Sequence, residues 1–134
     1  MSGFRDEKQA YAIIDGFLSE LTQEDDKMMA GSGMVIAFTL HKPEMRIVFD
    51  AREAPVPGRA YTYTINDPNA PEPVAEFTMD AEIFDKVYSG EAQAIGLMMM
   101  GKVKTKGNVP AAMKLLPVVS RAIPKYKKYR ELHG

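Results

Sequence analysis

A chain of 134 residues is most simply one domain, spanning 1–134, and is long enough to bury roughly two-thirds of its unfolded surface. Its composition, 46% hydrophobic and 26% charged with a formal net charge of −1, is that of an ordinary globular protein. The absence of cysteine excludes disulfides, thiol nucleophiles and cysteine-ligated zinc or iron–sulfur clusters.

Charge is unevenly divided along the chain. Residues 1–90 carry 8 Lys/Arg against 16 Asp/Glu, whereas residues 91–134 carry 9 against 2. Two readings are open. Either the basic C-terminal segment meets an anionic membrane surface transiently, or the two ends lie against each other and neutralise. No apolar run approaches the about eighteen residues of a membrane span, and the N-terminus lacks the charged-then-apolar order of a signal peptide. The end, Leu132-His133-Gly134, is not a peroxisomal address of the Ser-Lys-Leu type, so the expected location is the cytoplasm of a bacterium or archaeon.

In chain order, Asp6 to Thr22 reads as an amphipathic helix, because Ala10, Ile13, Ile14, Phe17, Leu18 and Leu21 recur at three- and four-residue steps. Gly16 inside it costs about 1 kcal/mol relative to alanine. Gln23 to Lys27 is polar and acidic, and Gly31-Ser32-Gly33 forms a joint. Met34, Ile36, Phe38 and Leu40 alternate with Val35, Ala37 and Thr39, which predicts a strand. After the turn His41-Lys42-Pro43-Glu44 the alternation resumes at Met45, Ile47 and Phe49, giving a hairpin. The proline-rich loops Ala54 to Gly58 and Asp67 to Pro73 flank a third strand carrying Tyr61, Tyr63 and Ile65 on one face. Val74 to Met79 is a fourth strand.

Asp80 is placed to cap a short helix whose Ile83, Phe84, Val87 and Tyr88 share a face, with Ser89-Gly90 as its stop. A second short helix, Ala92 to Met100, closes at Gly101. Lys102, Lys104 and Lys106 then alternate with Val103 and Thr105, a strand with one wet face. Gly107-Asn108 turns the chain into a last helix, with Asn108 as cap and Pro110 in its first turn. Pro110, Pro117 and Pro124 recur every seven residues, which predicts either a helix bent twice in one direction or three short helices, lying over the sheet edge or across a cavity mouth. The sum is an α+β layer fold: a five-stranded, mostly antiparallel sheet with helices on one face.

The chemistry-bearing residues do not converge. His41 sits in a turn and His133 beside the C-terminus, so no metal site or catalytic pair suggests itself. Ser32 has no activating partner, and Asp25-Asp26 and Asp50 lie in a loop and at a strand end. Phosphate-binding glycine motifs are absent. The lysine stripe at 102–106 lacks aromatic partners and the chain is slightly acidic, so nucleic acid is not an expected partner. Protection of a sheet edge explains those lysines better. No cofactor and no catalysis are expected. The ten methionines are the more telling feature, with Met79, Met98, Met99, Met100 and Met113 in or near residues 77–116. Unbranched thioethers adapt to guests of variable shape, although such clusters also build ordinary cores.

The ordered pieces FTM, IFDKVYSG, MMMGKVKTKGN and AAMKL between Phe77 and Leu115 resemble the sterol carrier protein 2-type (SCP2) lipid-transfer family. The resemblance implies an apolar tunnel between the sheet and the helices. It also implies that Phe84, Val87, Leu97, Met98, Met99, Met113 and Leu116 are wall residues. The strand alternation adds Ile36, Phe38 and Leu40 to that wall. The expected role is a lipid-binding carrier for an apolar small molecule: a fatty acid, acyl-CoA, sterol-like compound or quinone. The alternative is an accessory module presenting a lipid-like substrate to an enzyme complex. Pro117 and Pro124 depart from the family's more regular ending, and oligomeric state is left open, since Tyr61 to Ile65 suits either a closed edge or a dimer edge.

Overall fold

The computed structural model describes residues 3–21, 32–52, 61–114 and 116–133. Gln23 to Lys27 with Asp25 and Asp26, the joint residue Gly31, the loop Ala54 to Gly58 and the side chain of Leu116 lie outside the described residues. The elements in order are α1 (Glu7–Glu20), β1 (Val35–His41), β2 (Met45–Asp50), β3 (Thr62–Ile65), β4 (Ala75–Asp80), α2 (Ala81–Tyr88), α3 (Ala94–Met99), β5 (Lys104–Gly107), α4 (Val109–Met113) and α5 (Leu116–His133).

One sheet of order β3-β2-β1-β4-β5 holds all five strands. Its pairings are antiparallel except between β1 and β4, which run parallel. β1 is central, and its alternation decides what each face carries. Ile36, Phe38 and Leu40 stand beside Phe49, Ile47 and Met45 on one neighbour and Ala75, Phe77 and Met79 on the other. This unbroken apolar face is the floor of the main core, which every helix helps to cover. The opposite face carries a smaller cluster of Val35, Ala37 and Val48, against which Ala70 of the second proline-rich loop packs. There Glu76 accepts hydrogen bonds from Thr39 Oγ1 and, at 3.4 Å, from Arg46. The Thr39 hydroxyl, and then Arg46, hold the Glu76 carboxyl below its ordinary value.

α1 starts where Asp6 Oδ1 accepts from the Gln9 amide at 2.8 Å, and it buries Ala10, Ile13, Ile14, Phe17 and Leu18, the stripe read from the sequence. Its mid-helix glycine has a packing reason: a Cβ on Gly16 would fall 1.8 Å from the Tyr129 hydroxyl oxygen of α5. Asn108 caps α4 as expected, accepting from the Ala111 amide at 3.3 Å. Asp80 does not behave as the spacing suggests. It occupies the N-cap position of α2 without a side-chain capping bond, because it is also the last rung of β4, in register with His41. Gly107 closes β5 at a φ of +88°, where any Cβ would meet the Val74 carbonyl oxygen at 2.3 Å.

The proline series gives neither a doubly bent helix nor three short ones. α4 ends at Met113 and α5 begins at Leu116, which puts Pro117 in a first turn, where a missing amide hydrogen costs nothing. Pro124 lies inside α5, which continues past it to His133.

Candidate functional site

Between the apolar sheet face and the helices lies a cavity of about 100 Å³. Its floor is Ile36 and Phe38 of β1, Phe49 of β2, Tyr61 at the entrance to β3, and Phe77 and Met79 of β4. Phe84, Val87 and Tyr88 of α2, Ala94 and Met98 of α3, Val103, Ala112 of α4, and Val118 and Val119 of α5 complete it. Aromatic edges fix the floor. Phe38 meets Phe49, Phe77 and Phe84 edge-on at centroid separations of 5.4, 5.6 and 5.9 Å, and Phe49 meets Tyr61 at 5.4 Å. The lining supplies aliphatic, aromatic and thioether surface with very little that is polar. Such a wall can hold an apolar molecule by excluding water from it.

The sequence-derived wall residues divide. Ile36, Phe38, Phe84, Val87 and Met98 are brought together around the cavity. Leu40 is fully buried but packs deeper in the core, beside Met45 and Met79. Leu97 lines a neighbouring open groove instead, and Met113 is half-buried one position around α4 from Ala112, which takes the wall. Met99 is a correction: it is 84% exposed, so it is no wall residue. The reason is helical phase. α3 turns Ala94 and Met98, four residues apart, towards the cavity, and each residue after them lies about 100° further round. Leu116 lies outside the described side chains. Phe49, Tyr61, Phe77 and Met79 were missed as wall residues, although their alternation with the chosen β1 residues carries the signal.

A buried polar clasp holds the last helix. Asp85 is 2% exposed and sits on α2 in the phase of Ala81, Phe84 and Tyr88, all buried. Its Oδ1 accepts from Tyr126 Oη at 2.6 Å and from Arg130 Nη1 at 2.7 Å, and its Oδ2 from the Gly3 amide at 2.7 Å. Arg130 Nη2 donates to the Gly3 carbonyl at 3.1 Å, and the guanidinium lies over the Phe4 ring at 4.9 Å. Burial, and then the hydrogen bond to Asp85, push the Tyr126 phenol far above its ordinary value, so it remains a donor. These bonds fasten the N-terminal segment, α2 and α5 together. The groups suspected of chemistry are similarly engaged: Asp50 receives Arg52 at 2.8 and 3.1 Å, and His41 Nδ1 lies 3.0 Å from Glu44 in the exposed turn. Among the described residues no three His, Asp or Glu side chains are grouped to hold a metal, and no helix is long and apolar enough to cross a membrane.

The model of the SCP-2 sterol transfer family matches residues 14–120. The chain belongs to that family. No curated protein matches the sequence. Among solved structures, the sterol carrier protein domain 2 of Helicoverpa armigera is 22% identical with a TM-score of 0.66, the match covering 92% of this chain and 95% of that one. Sterol carrier protein 2 from Yarrowia lipolytica, in its apo form, is 19% identical with a TM-score of 0.60, covering 84% and 88%. A ubiquinone synthesis protein, UbiJ-SCP2, is 11% identical with a TM-score of 0.53, covering 90% and 94%. These likenesses are of fold. The SCP-2 family member described here thus has the α+β fold that its element order and motif series imply.

Proposed function

We propose that this protein is a non-catalytic lipid carrier that takes an apolar guest, of the fatty acyl, sterol-like or quinone kind, between its sheet and its helices. The observation that carries the reading is the cavity wall: fifteen residues from the sheet, four helices and the chain just before β3 and β5 converge with almost no polar surface among them. Family membership supports it. Burying each methylene contributes about 0.8 kcal/mol, so ten supply about 8 kcal/mol; association entropy is subtracted from that, and micromolar affinity, about 8.2 kcal/mol net, needs a guest with more apolar surface than ten methylenes. Few polar contacts imply broad tolerance of shape. The cavity is smaller than the about 300 Å³ at which sites for drug-sized ligands begin, so a long guest must move part of the wall. Met79 and Met98, unbranched and flexible, are suited to yield first.

Similarity to a ubiquinone synthesis protein favours a second reading, a module that presents a prenylated or acylated substrate to an enzyme. Native mass spectrometry of freshly purified protein, followed by solvent extraction of any guest, tests both. A mixed population of apolar adducts, with uptake of fluorescent fatty acid, is the expected result. Constant loading with one prenyl or acyl species together with a stable protein partner would transfer support to the second reading. A clean unliganded mass with no probe uptake would sink both.

A further inference from the structure

Of the six large apolar side chains most exposed among the described residues, three fall within residues 95–100: Ile95 at 50%, Met99 at 84% and Met100 at 69%. Single exposed apolar residues are common, but a cluster on one short element marks a contact surface. Ile95 and Met99 are one turn apart on α3, directly beside the Ala94–Met98 face that lines the cavity. Met100 shares an open groove with Lys102 and Lys104, both exposed and, among the described residues, in no ion pair. Asp80, Glu82 and Glu91 also line that groove, and Glu82 pairs with Lys86 at 3.5 Å. Lys106, two residues beyond Lys104 on the same face of β5, stands opposite Glu76 across the β4–β5 ladder.

We propose that the tip formed by α3 and the start of β5 docks on an anionic membrane surface, with Ile95, Met99 and Met100 entering the interface and Lys102 and Lys104 meeting lipid phosphates. The inference extends the carrier reading by naming the surface from which a guest would be collected or to which it would be delivered. Apolar side chains flanked by lysines are the combination that anionic bilayers select. Guarding the edge strand accounts for Lys104 but not for three exposed apolar neighbours. The basic last helix is a weaker candidate, because Lys125 Nζ donates to the Glu20 carbonyl at 2.6 Å and Arg130 is held by Asp85. Position adds the functional argument: the helix that would enter the interface is itself one wall of the cavity.

Co-sedimentation with vesicles of phosphatidylcholine alone, and of an equimolar phosphatidylcholine–phosphatidylglycerol mixture, tests the proposal. Salt-sensitive binding to the anionic vesicles is expected. Lys102→Glu/Lys104→Glu and, separately, Met99→Asp/Met100→Asp should each lower it on the order of tenfold or more. Both pairs should leave the melting temperature and fatty-acid uptake in vesicle-free solution unchanged. Absence of vesicle binding overturns the proposal. So does binding that survives both pairs and falls with Lys127→Glu/Lys128→Glu, or a dimer that Met99→Asp/Met100→Asp dissolves while vesicle binding persists. Failure of fatty-acid uptake by the wild type with docking intact removes the carrier reading and leaves the docking surface standing.

Discussion

Asp85 shows how one buried carboxylate can organise a small domain. Its partners lie 41, 45 and 82 residues away in the chain, so the clasp ties three segments that share no sequence neighbourhood. A hydrogen bond to a buried charge contributes about 2 kcal/mol, and Tyr126→Phe removes one while leaving the ring packed against Phe17 and Tyr88. The expected loss of about 2 kcal/mol is measurable by urea unfolding at neutral pH. The phenol's pKa is raised in the folded state, so the unfolded chain releases this proton first as pH rises. The stabilising contribution is therefore full below about pH 10 and is lost above it. Tyr126→Phe should accordingly flatten the alkaline fall in stability relative to wild type. An equally steep fall in the variant would show that the linkage lies elsewhere. Periodicity held a hint of the clasp, since 81, 84, 85 and 88 fall on one helical face, but a lone aspartate reads as solvent-facing until its partners are known.

At the scale of elements, the strands were legible because a residue's parity fixes its face. Once Ile36 and Phe38 face the helices, their register partners Phe49, Ile47, Ala75 and Phe77 must do so too. Three consecutive methionines gave no such handle. In a helix of six residues the apolar pattern spans too little arc to fix its phase, and only packing shows that Met98 turns inward while Met99 and Met100 face out. The close approach of α5 to α1 at Gly16 was likewise visible only as an apparently unfavourable glycine. The phase of α3 makes a direct prediction for the carrier reading. Met98→Trp fills the cavity, and excluding two methylenes of a guest removes about 1.6 kcal/mol, on the order of tenfold in affinity. Fluorescent fatty-acid titration reads that loss, and Met98→Phe serves as the smaller step should tryptophan overpack the core. Undiminished uptake by both variants would take Met98 out of the site.

Over the whole molecule, the charge asymmetry is partly resolved internally. Basic α5 lies against acidic α1 and against α2, where Lys125 reaches the Glu20 carbonyl and Arg130 reaches Asp85. These anchors, with Tyr126 in the core and Tyr129 against Gly16, all fall in the second half of α5. The cavity wall, by contrast, takes Val118 and Val119 from its first turns and Ala112 from α4. Among the described residues, the helical roof is thus fastened by such polar anchors at one end and not at the other. On the carrier reading, a long guest needs more volume than the cavity has, so the wall would give where it is least held: at α3, at α4 and at the start of α5. Hydrogen exchange with and without a bound fatty acid should therefore change amide protection in residues 94–120, on the order of tenfold or more for a guest that adds 1.4 kcal/mol to local stability. Amides of residues 125–130 should exchange alike in both states, apart from the uniform gain expected of global stabilisation. Changes concentrated at 125–130, with 94–120 silent, would mean that the clasped end opens instead, and that Asp85 acts as a latch rather than as an anchor.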